Sequence, residues 1–165
     1  NSSNALTYYE KAREQNPDDV NNLVALAGLY ETFKRYKESN AAYEKVLSIE
    51  PDNALALNNY AYYLSVRGER LNEALVMSKK SLENNADNGS YLDTYGWILF
   101  KLKKYEDARD YILKSLKVNP NSAVVNDHLG DVYDALGDRT NAMKYWKKAY
   151  ELAPDNIEFK NKVSK

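Results

Sequence analysis

Prolines recur along the chain at a nearly constant interval, and this regularity restricts the fold more than any other feature of the sequence. Pro17 and Pro51 are 34 residues apart, as are Pro120 and Pro154. Pro51 and Pro120 are separated by 69 residues, which is two such intervals and one extra residue. A fixed period of this length predicts an array of similar units, each packing against its neighbours.

Small residues keep the same register as the prolines. They recur in one column at Ala27, Ala61, Gly96 and Gly130, and in a second at Ala5, Ser39, Ala74, Ala108 and Ala142. Ala86 stands where the period would place a proline. The extra residue is expected in the segment GERLNEAL, because Gly68 and Ala74 are one residue further apart than Gly137 and Ala142.

Each unit shows two apolar stripes at helical spacing. Leu92, Tyr95, Gly96 and Leu99 follow the i, i+3, i+4, i+7 pattern of one helix face, and residues 108–116 carry a second stripe. Glycine or alanine at such a face lets two helices approach closely. Proline is expected to stop one helix, and a following Asp, Asn or Ser to cap the next.

The pattern predicts an all-α array of about ten helices. Its expected parts are the second helix of a truncated repeat, four helix pairs of which the second carries the insertion, and a C-terminal capping helix: residues 1–19, 20–53, 54–88, 89–122, 123–156 and 157–165. The apolar side of the first helix, which includes Tyr8 and Tyr9, then lacks a partner helix. We therefore expect exposed apolar surface on this face and a continuation of the parent protein upstream of it. Homo-oligomerisation through the same face is a further expectation.

The columns resemble the tetratricopeptide repeat over essentially the whole chain. The segments YLDTYGWILFKLKKYEDARDYILKSLKVNP and NDHLGDVYDALGDRTNAMKYWKKAYELAP match best, including the small residues and the terminal proline. In the unit 54–88, Ser78 and Ala86 depart from the pattern, and a looser seam is expected there. The motif sequences are similar to those of bacterial members, many of which are exported lipoproteins. This resemblance favours the bacterial cell envelope over the cytoplasm as the location.

The resemblance implies a right-handed superhelical α-solenoid of antiparallel helix pairs, whose first helices line a concave, ligand-binding surface. Side chains beside the apolar stripe of each first helix then face this surface. The candidate peptide-binding residues are Asn58, Tyr62, Asp93, Trp97, Phe100, Lys101, Asp127, Asp131 and Asp134. Trp97 is the most informative of them, because it lies next to Gly96 in sequence but off the stripe. The alternative is that its ring packs against the neighbouring repeat, or is partly exposed, without contacting a ligand.

Charge in these columns is unevenly distributed. Glu31 and the four aspartates oppose only Lys101, which leaves four excess negative charges in a chain whose net charge is −1. We therefore predict an acidic groove with an aromatic floor that binds a polypeptide carrying Lys or Arg near apolar residues. Capture of a C-terminal carboxylate, a binding mode that the resemblance also implies, needs groove cations. The corresponding positions hold Asn59, Ser90 and Thr94, which argues against it.

Other functional classes find little support in the sequence. The near-neutral charge provides no field for nucleic acid, and no apolar run approaches the ~20 residues that cross a bilayer. His128 is the only histidine and cysteine is absent, so neither a metal site nor a catalytic group is expected, and no cofactor is implied. Asp127, Asp131 and Asp134 share a helix face, but a rigid helix rarely wraps a cation.

Three hypotheses follow for the function. The main one is a non-catalytic protein-interaction module, a scaffold or adaptor that binds a polypeptide in its groove. The second is self-association through the open N-terminal helix. The third is recruitment of substrates by this region within a larger, multi-domain protein.

Overall fold

The computed structural model describes residues 2–164, which form ten α-helices joined by short turns. The helices are α1 (Ser2–Gln15), α2 (Val20–Thr32), α3 (Tyr36–Ile49), α4 (Ala54–Arg67), α5 (Leu71–Leu82), α6 (Gly89–Lys101), α7 (Tyr105–Val118), α8 (Ala123–Ala135), α9 (Arg139–Leu152) and α10 (Ile157–Val163). The predicted all-α helical repeat architecture is confirmed.

The first helix of each unit begins at a side-chain cap. Asp19, Asn53, Asn88, Ser122 and Asn156 precede α2, α4, α6, α8 and α10, and each side chain accepts a hydrogen bond from a backbone N–H in the first turn. These caps satisfy N–H groups that have no partner within the helix. The Asp, Asn and Ser residues after the prolines therefore act as the sequence predicted.

Small residues at the helix crossings allow the partner helix to pack directly on the backbone. A Cβ atom added to Gly96 would lie 2.6 Å from Cγ1 of Ile112 in α7, and one added to Gly130 would lie 2.3 Å from Cδ1 of Trp146 in α9. Ala27 and Ala61 are fully buried at the equivalent positions of α2 and α4. The column of small residues is thus required by close packing within each helix pair.

The two helices of a unit lie on different sides of the array. Successive first helices α2, α4, α6 and α8 contact one another, and each second helix packs mainly against the first helices beside it. Helices that contact along the stack are closer together than those that do not, so the array has its first helices on the inner side. We call these the inner helices and α3, α5, α7 and α9 the outer helices.

The extra residue of the unit 54–88 falls between Gly68 and Ala74, the segment in which the sequence analysis expected it. A residue with left-handed φ follows the start of each inner helix by the same 14 positions in all four units, at Lys34, Gly68, Lys103 and Gly137. Up to this residue the inserted unit therefore matches the others. Arg70, with a left-handed φ of 46°, is the additional residue of the turn that leads into α5.

The unit 54–88 departs from its neighbours in its outer helix, in line with the residues that break the pattern. Helix α5 has 12 residues, whereas α3, α7 and α9 have 14. Ser78 stands at a fully buried position, and its Oγ forms no hydrogen bond in the part of the chain that the structure describes. A small polar residue at a core position contributes less packing to this junction than an aliphatic one.

Helix α1 packs on α2 with one side and leaves the other side open. Asn22 in α2 donates a hydrogen bond to the backbone O of Tyr9, and Tyr30 donates to the carboxylate of Glu10. Tyr8 is 69% exposed, as the sequence predicted for this face. Among the described residues, no helix is both long and apolar enough to span a membrane.

Candidate peptide-binding surface

The inner helices expose less of their side walls than the sequence predicted. Asn58, Asp93 and Asp127, expected to face the concave surface, are each at most 9% exposed. Inner helices in the middle of the stack contact their own outer helix, the preceding outer helix and the adjacent inner helices. Only a narrow strip of each therefore remains open, and these three residues lie at its margin.

One groove opens on the inner side where α4 meets the N-terminal ends of α6 and α8. Its volume is about 580 Å³. We call it the amide groove, after the asparagines among its lining residues, which are Asn58, Asn59, Tyr62, Asp87, Asn88, Gly89, Ser90, Asp93, Thr94, Ser115, Val118, Asn119, Ser122, Val124 and Val125. Two carboxylates and no Lys or Arg belong to this set, so its fixed charge is negative.

The wall formed by α4 has unused hydrogen-bonding capacity. Asn58 donates from Nδ2 to Oδ1 of Asn59 at 3.2 Å, but its own buried Oδ1 receives no hydrogen bond from any described residue. A buried acceptor without a partner costs ~1–3 kcal/mol. Because this oxygen is buried, the amide within reach of a ligand is that of the half-buried Asn59, which lines the same groove. Tyr62 lies beside it, half-buried, and burial together with the nearby Asp93 raises the pKa of its phenol.

The opposite wall supplies apolar surface. Val118 at the end of α7 and Val124 at the start of α8 are 53% and 48% exposed, and both line the amide groove. The sequence analysis did not select these residues for the apolar part of the site. The sequence did contain a signal for Val118. It stands two positions before Pro120, and the equivalent positions before Pro51 and Pro154 are also apolar, Ile49 and Leu152.

Trp97 does not form the open groove floor that the sequence predicted. Its ring stacks on His128 of α8, with centroids 4.0 Å apart and planes 15° apart, and on Phe100 at 4.8 Å. Its Nε1 is buried and has no hydrogen-bond acceptor among residues 2–164. The indole packs between successive inner helices, and it does not line the amide groove. A ligand contact at Trp97 remains a prediction.

Phe100 and Lys101 belong to the same packed cluster as Trp97. Phe100 is half-buried and also packs on Tyr105 of the outer helix, with centroids 5.6 Å apart. The Nζ of Lys101 lies 5.1 Å from the Trp97 ring centroid, within the range of a cation–π contact. These two candidate site residues therefore lie away from the amide groove as well.

The carboxylates of the inner face are matched by partners within the chain. Lys162 of α10 donates to Asp127 at 2.8 Å and to Asp131 at 2.6 Å, and Trp146 Nε1 donates to Asp131 at 2.9 Å. The Asp93 carboxylate lies 3.0 Å from Nδ1 of His128. The excess of negative charge read from the columns is therefore largely compensated at the C-terminal end of the array.

The remaining carboxylates of these columns are also paired. Asp134 is exposed and accepts from Arg139 at 2.8 Å, and Glu31 forms a buried ion pair with Arg67 of α4. Within residues 2–164, no group of three or more His, Cys, Asp or Glu side chains is arranged to hold a metal ion.

Burial affects the ionisation of the Asp127 carboxyl. Desolvation raises its pKa above the ordinary value of 3.8, although the ammonium group of Lys162 acts in the opposite direction. The same contact raises the pKa of Lys162, because the two carboxylates stabilise its charged form more than burial disfavours it. This part of the inner face is a desolvated, internally satisfied ion cluster.

Comparison with protein families identifies the repeat directly. Three family models described as tetratricopeptide repeat match the chain, one over residues 89–122, one over residues 20–53 and 124–156, and one over residues 42–75. Together these matches cover most of the sequence.

The relatives include longer bacterial proteins. The TPR repeat-containing protein PA4667 of Pseudomonas aeruginosa is 33% identical over 122 residues, which are 74% of this chain and 20% of the relative. The type IV pilus assembly protein PilF of the same organism is 27% identical over 148 residues, 88% of this chain and 58% of PilF. The chain thus spans about a fifth of the first relative and little more than half of the second.

Solved structures confirm the architecture. The crystal structure of TTC0263, a thermophilic TPR protein of Thermus thermophilus, superposes with a TM-score of 0.83 at 18% identity and covers 99% of this chain and 89% of that one. At this identity the likeness concerns the fold alone.

Proposed function

We propose that this chain, which belongs to the tetratricopeptide repeat family, is a non-catalytic interaction module that binds an extended polypeptide segment in the amide groove. The fold supports a protein-interaction scaffold in general terms. The observation that carries the finer proposal is the composition of the groove walls. Half-buried Asn59 and Tyr62 lie opposite two exposed valines, and the charged residues among the described lining are Asp87 and Asp93.

The ligand chemistry follows from these walls. Backbone N–H groups of an extended segment pair with side-chain oxygens of half-buried lining residues such as Asn59. An apolar side chain between Tyr62 and Val124 buries surface that is otherwise exposed to water. A nearby Lys or Arg of the ligand is favoured by Asp87, which is exposed, because the described lining residues include no Lys or Arg that would compete for it.

A peptide-array screen tests this proposal. Short peptides that place one Lys or Arg beside apolar residues are compared with charge-reversed counterparts, and the best binder is titrated by fluorescence anisotropy at low and moderate salt. We expect Tyr62→Ala to weaken binding about 30-fold, as for a central aromatic anchor. Tyr8→Ala, which truncates an exposed tyrosine outside the groove, is the matched control and should leave the affinity unchanged.

Two outcomes of the peptide screen would contradict binding in the amide groove. Equal affinity of the wild type and Tyr62→Ala, or a stronger signal from the charge-reversed peptides, overturns the proposal. Circular dichroism and thermal unfolding of each variant establish that the array is intact.

The exposed face of α1 favours self-association as a second candidate function. Tyr8 is 69% exposed and packs edge-on against Tyr9, with centroids 5.4 Å apart, and α1 contains no buried residue. Mass measurement over a range of concentrations tests it. A monomer at all concentrations, unchanged by Tyr8→Glu, eliminates this candidate.

We further propose that the chain works at the bacterial cell envelope as part of a larger protein. The support is its similarity to PilF, a type IV pilus assembly protein, and its partial coverage of the relatives. Fractionation of cells that express the parent protein tests this, and recovery in the cytosolic fraction contradicts it.

A further inference from the structure

A lysine recurs at the same repeat position in α1 and in each outer helix. The residues are Lys11, Lys45, Lys80, Lys114 and Lys148, spaced by the repeat period. The neighbouring loop supplies a carboxylate to two of them. Lys45 pairs with Asp18 at 2.8 Å and Lys80 with Asp52 at 2.6 Å. In these units the charge of the lysine is therefore compensated on the outer surface.

The last repeat lacks this compensation. Asn121 occupies the loop position that Asp18 and Asp52 hold in the earlier repeats. Lys148 lies 3.9 Å from Glu151 of its own helix, at the limit of an ion pair between two exposed side chains. At this separation the pair is weaker than the pairs of Lys45 and Lys80, which are 2.8 Å and 2.6 Å long, so the positive charge of Lys148 is less compensated.

Lys148 borders a groove between the outer helices α7 and α9, on the side opposite the inner surface. The groove has a volume of about 560 Å³. Leu113, Leu116 and Tyr145 supply apolar lining. We call it the basic outer groove, because its charged lining residues are Lys117, Lys144, Lys148 and the single carboxylate of Glu151.

The repeat-equivalent groove between α5 and α7 shows that this charge is not a general property of the outer surface. Its volume is about 490 Å³, and it too has leucine and tyrosine lining. Its charged residues are Lys79 and Lys114 against Glu83 and Asp87, which balance. The basic outer groove is thus distinguished by its excess of lysine over carboxylate, not by its shape.

We propose that the basic outer groove binds an acidic amphipathic helix of a protein partner. A groove between two helices receives the apolar face of a third, while flanking charges fix its orientation. Lys117 on one side and Lys144 and Lys148 on the other meet carboxylates that flank the apolar stripe of the ligand. This surface is separate from the amide groove and does not depend on the function proposed there.

A helix fits these observations better than an anionic lipid surface. Membrane binding by an exposed patch requires apolar side chains that project outwards. The leucines and the tyrosine of the basic outer groove are half-buried, and the residues that stand exposed around it are lysines, Pro120 and Glu151. The apolar surface is therefore recessed. The apolar side chains of a ligand helix can reach it, whereas a flat bilayer cannot.

The test uses a labelled peptide with Leu at positions i, i+3, i+4 and i+7 and Glu elsewhere, and a scrambled peptide of equal composition. Fluorescence anisotropy should show binding of the amphipathic peptide alone. Lys144→Glu/Lys148→Glu should weaken it by ~10-fold or more. The matched control is Lys45→Glu/Lys80→Glu, which reverses the lysines equivalent to Lys148 in two earlier repeats. It should leave the affinity within about twofold of the wild type.

A second variant tests the explanation without removing any lysine. Asn121→Asp restores the loop carboxylate and should reduce peptide affinity by ~2–5-fold through pairing with Lys148. The proposal is overturned if the two double variants weaken binding equally, if the scrambled peptide binds as well, or if Lys144→Glu/Lys148→Glu binds like the wild type. Co-sedimentation with phosphatidylglycerol vesicles in the absence of peptide binding overturns it in favour of a membrane.

Discussion

Two regions of the inner face, the amide groove and the side of α8 next to α10, both contain polar residues but use them differently. In the amide groove, the buried Oδ1 of Asn58 accepts no hydrogen bond from residues 2–164, and valines on the opposite wall stay exposed. Around α8, the carboxylates of Asp127 and Asp131 are occupied by Lys162 and Trp146. Polar residues on an inner helix are therefore available to a ligand only where folding has not already paired them.

The difference arises from what lies next in the stack. Helix α10 packs on α9 and directs Lys162 onto the carboxylates of α8, where an external basic residue was expected to bind. The amide groove lies between α4 and the N-terminal ends of α6 and α8, and Asn58 Oδ1 receives no hydrogen bond there from any residue of 2–164. The following predictions test this contrast between a satisfied and an open region.

The largest effect is expected from adding a methyl group at the satisfied end. Gly130→Ala places Cβ against the Trp146 indole, and overpacking of a buried ring should lower the free energy of unfolding by about 3 kcal/mol. Gly28→Ala is the matched control, because its Cβ meets only the Tyr63 hydroxyl at 4.0 Å. It should stabilise the protein by ~0.5–1 kcal/mol through helix propensity. Urea denaturation measures both, and effects of equal sign would contradict the packing account.

Removal of the internal cation should have the next largest effect. Lys162→Ala leaves the buried Asp127 and the adjacent Asp131 without their ammonium partner and should cost about 2 kcal/mol in unfolding free energy. Lys160→Ala removes an exposed lysine from the same helix and should change stability by less than about 0.5 kcal/mol. If the two alanine variants unfold at the same urea concentration, the ion cluster does not stabilise the fold.

The two tryptophans provide a smaller and more specific comparison. Trp146 donates its Nε1–H to Asp131, whereas the buried Nε1 of Trp97 has no acceptor in the described part of the chain. Phenylalanine removes the donor in both cases, so Trp146→Phe should cost ~1 kcal/mol more than Trp97→Phe. Thermal unfolding with both variants side by side measures this difference. A larger loss for Trp97→Phe would show that its indole N–H is bonded after all.

The smallest expected effect is a change in pH dependence. Burial raises the pKa of Asp127 in the folded protein, with Lys162, Asp131 and His128 as its charged neighbours. Ionisation is then less favourable in the folded than in the unfolded chain, so the contribution of this carboxyl to stability declines as pH rises from the ordinary aspartate pKa through the raised one. Asp127→Asn should lack this decline. Urea denaturation from pH 3 to pH 7 shows it, and parallel curves for the two proteins would contradict the direction of the shift.

The periodic sequence predicts the helices well because each depends on local information. The stripe of Leu92 and Leu99 identifies a helix face, and residues such as Asn53 and Ser122 mark where helices begin. The close approach at Gly96 follows from the same columns, since only a small residue allows Ile112 to pack there. The location of the extra residue also follows from the columns, because only the spacing from Gly68 to Ala74 is longer than in the other units.

The candidate site is less predictable because it depends on contacts between units. Lys162 is 35 residues from Asp127, and the stacking of Trp97 on His128 joins two different repeats. A helical wheel assigns side chains to a face but does not show what the next helix places there. Tyr62 and Asp93 were nevertheless predicted and do line the amide groove, whereas Val118 was missed because it lies at an outer-helix end.

The most direct test of the account is an amide NMR titration of the isotopically labelled protein with a Lys-containing apolar peptide selected by the array. The account predicts that shift changes cluster at Tyr62, Thr94, Val118 and Val124, and that they disappear in Tyr62→Ala. Shift changes centred instead on α8 and α10, or on the exposed face of α1, would contradict the claim that the amide groove is the binding surface.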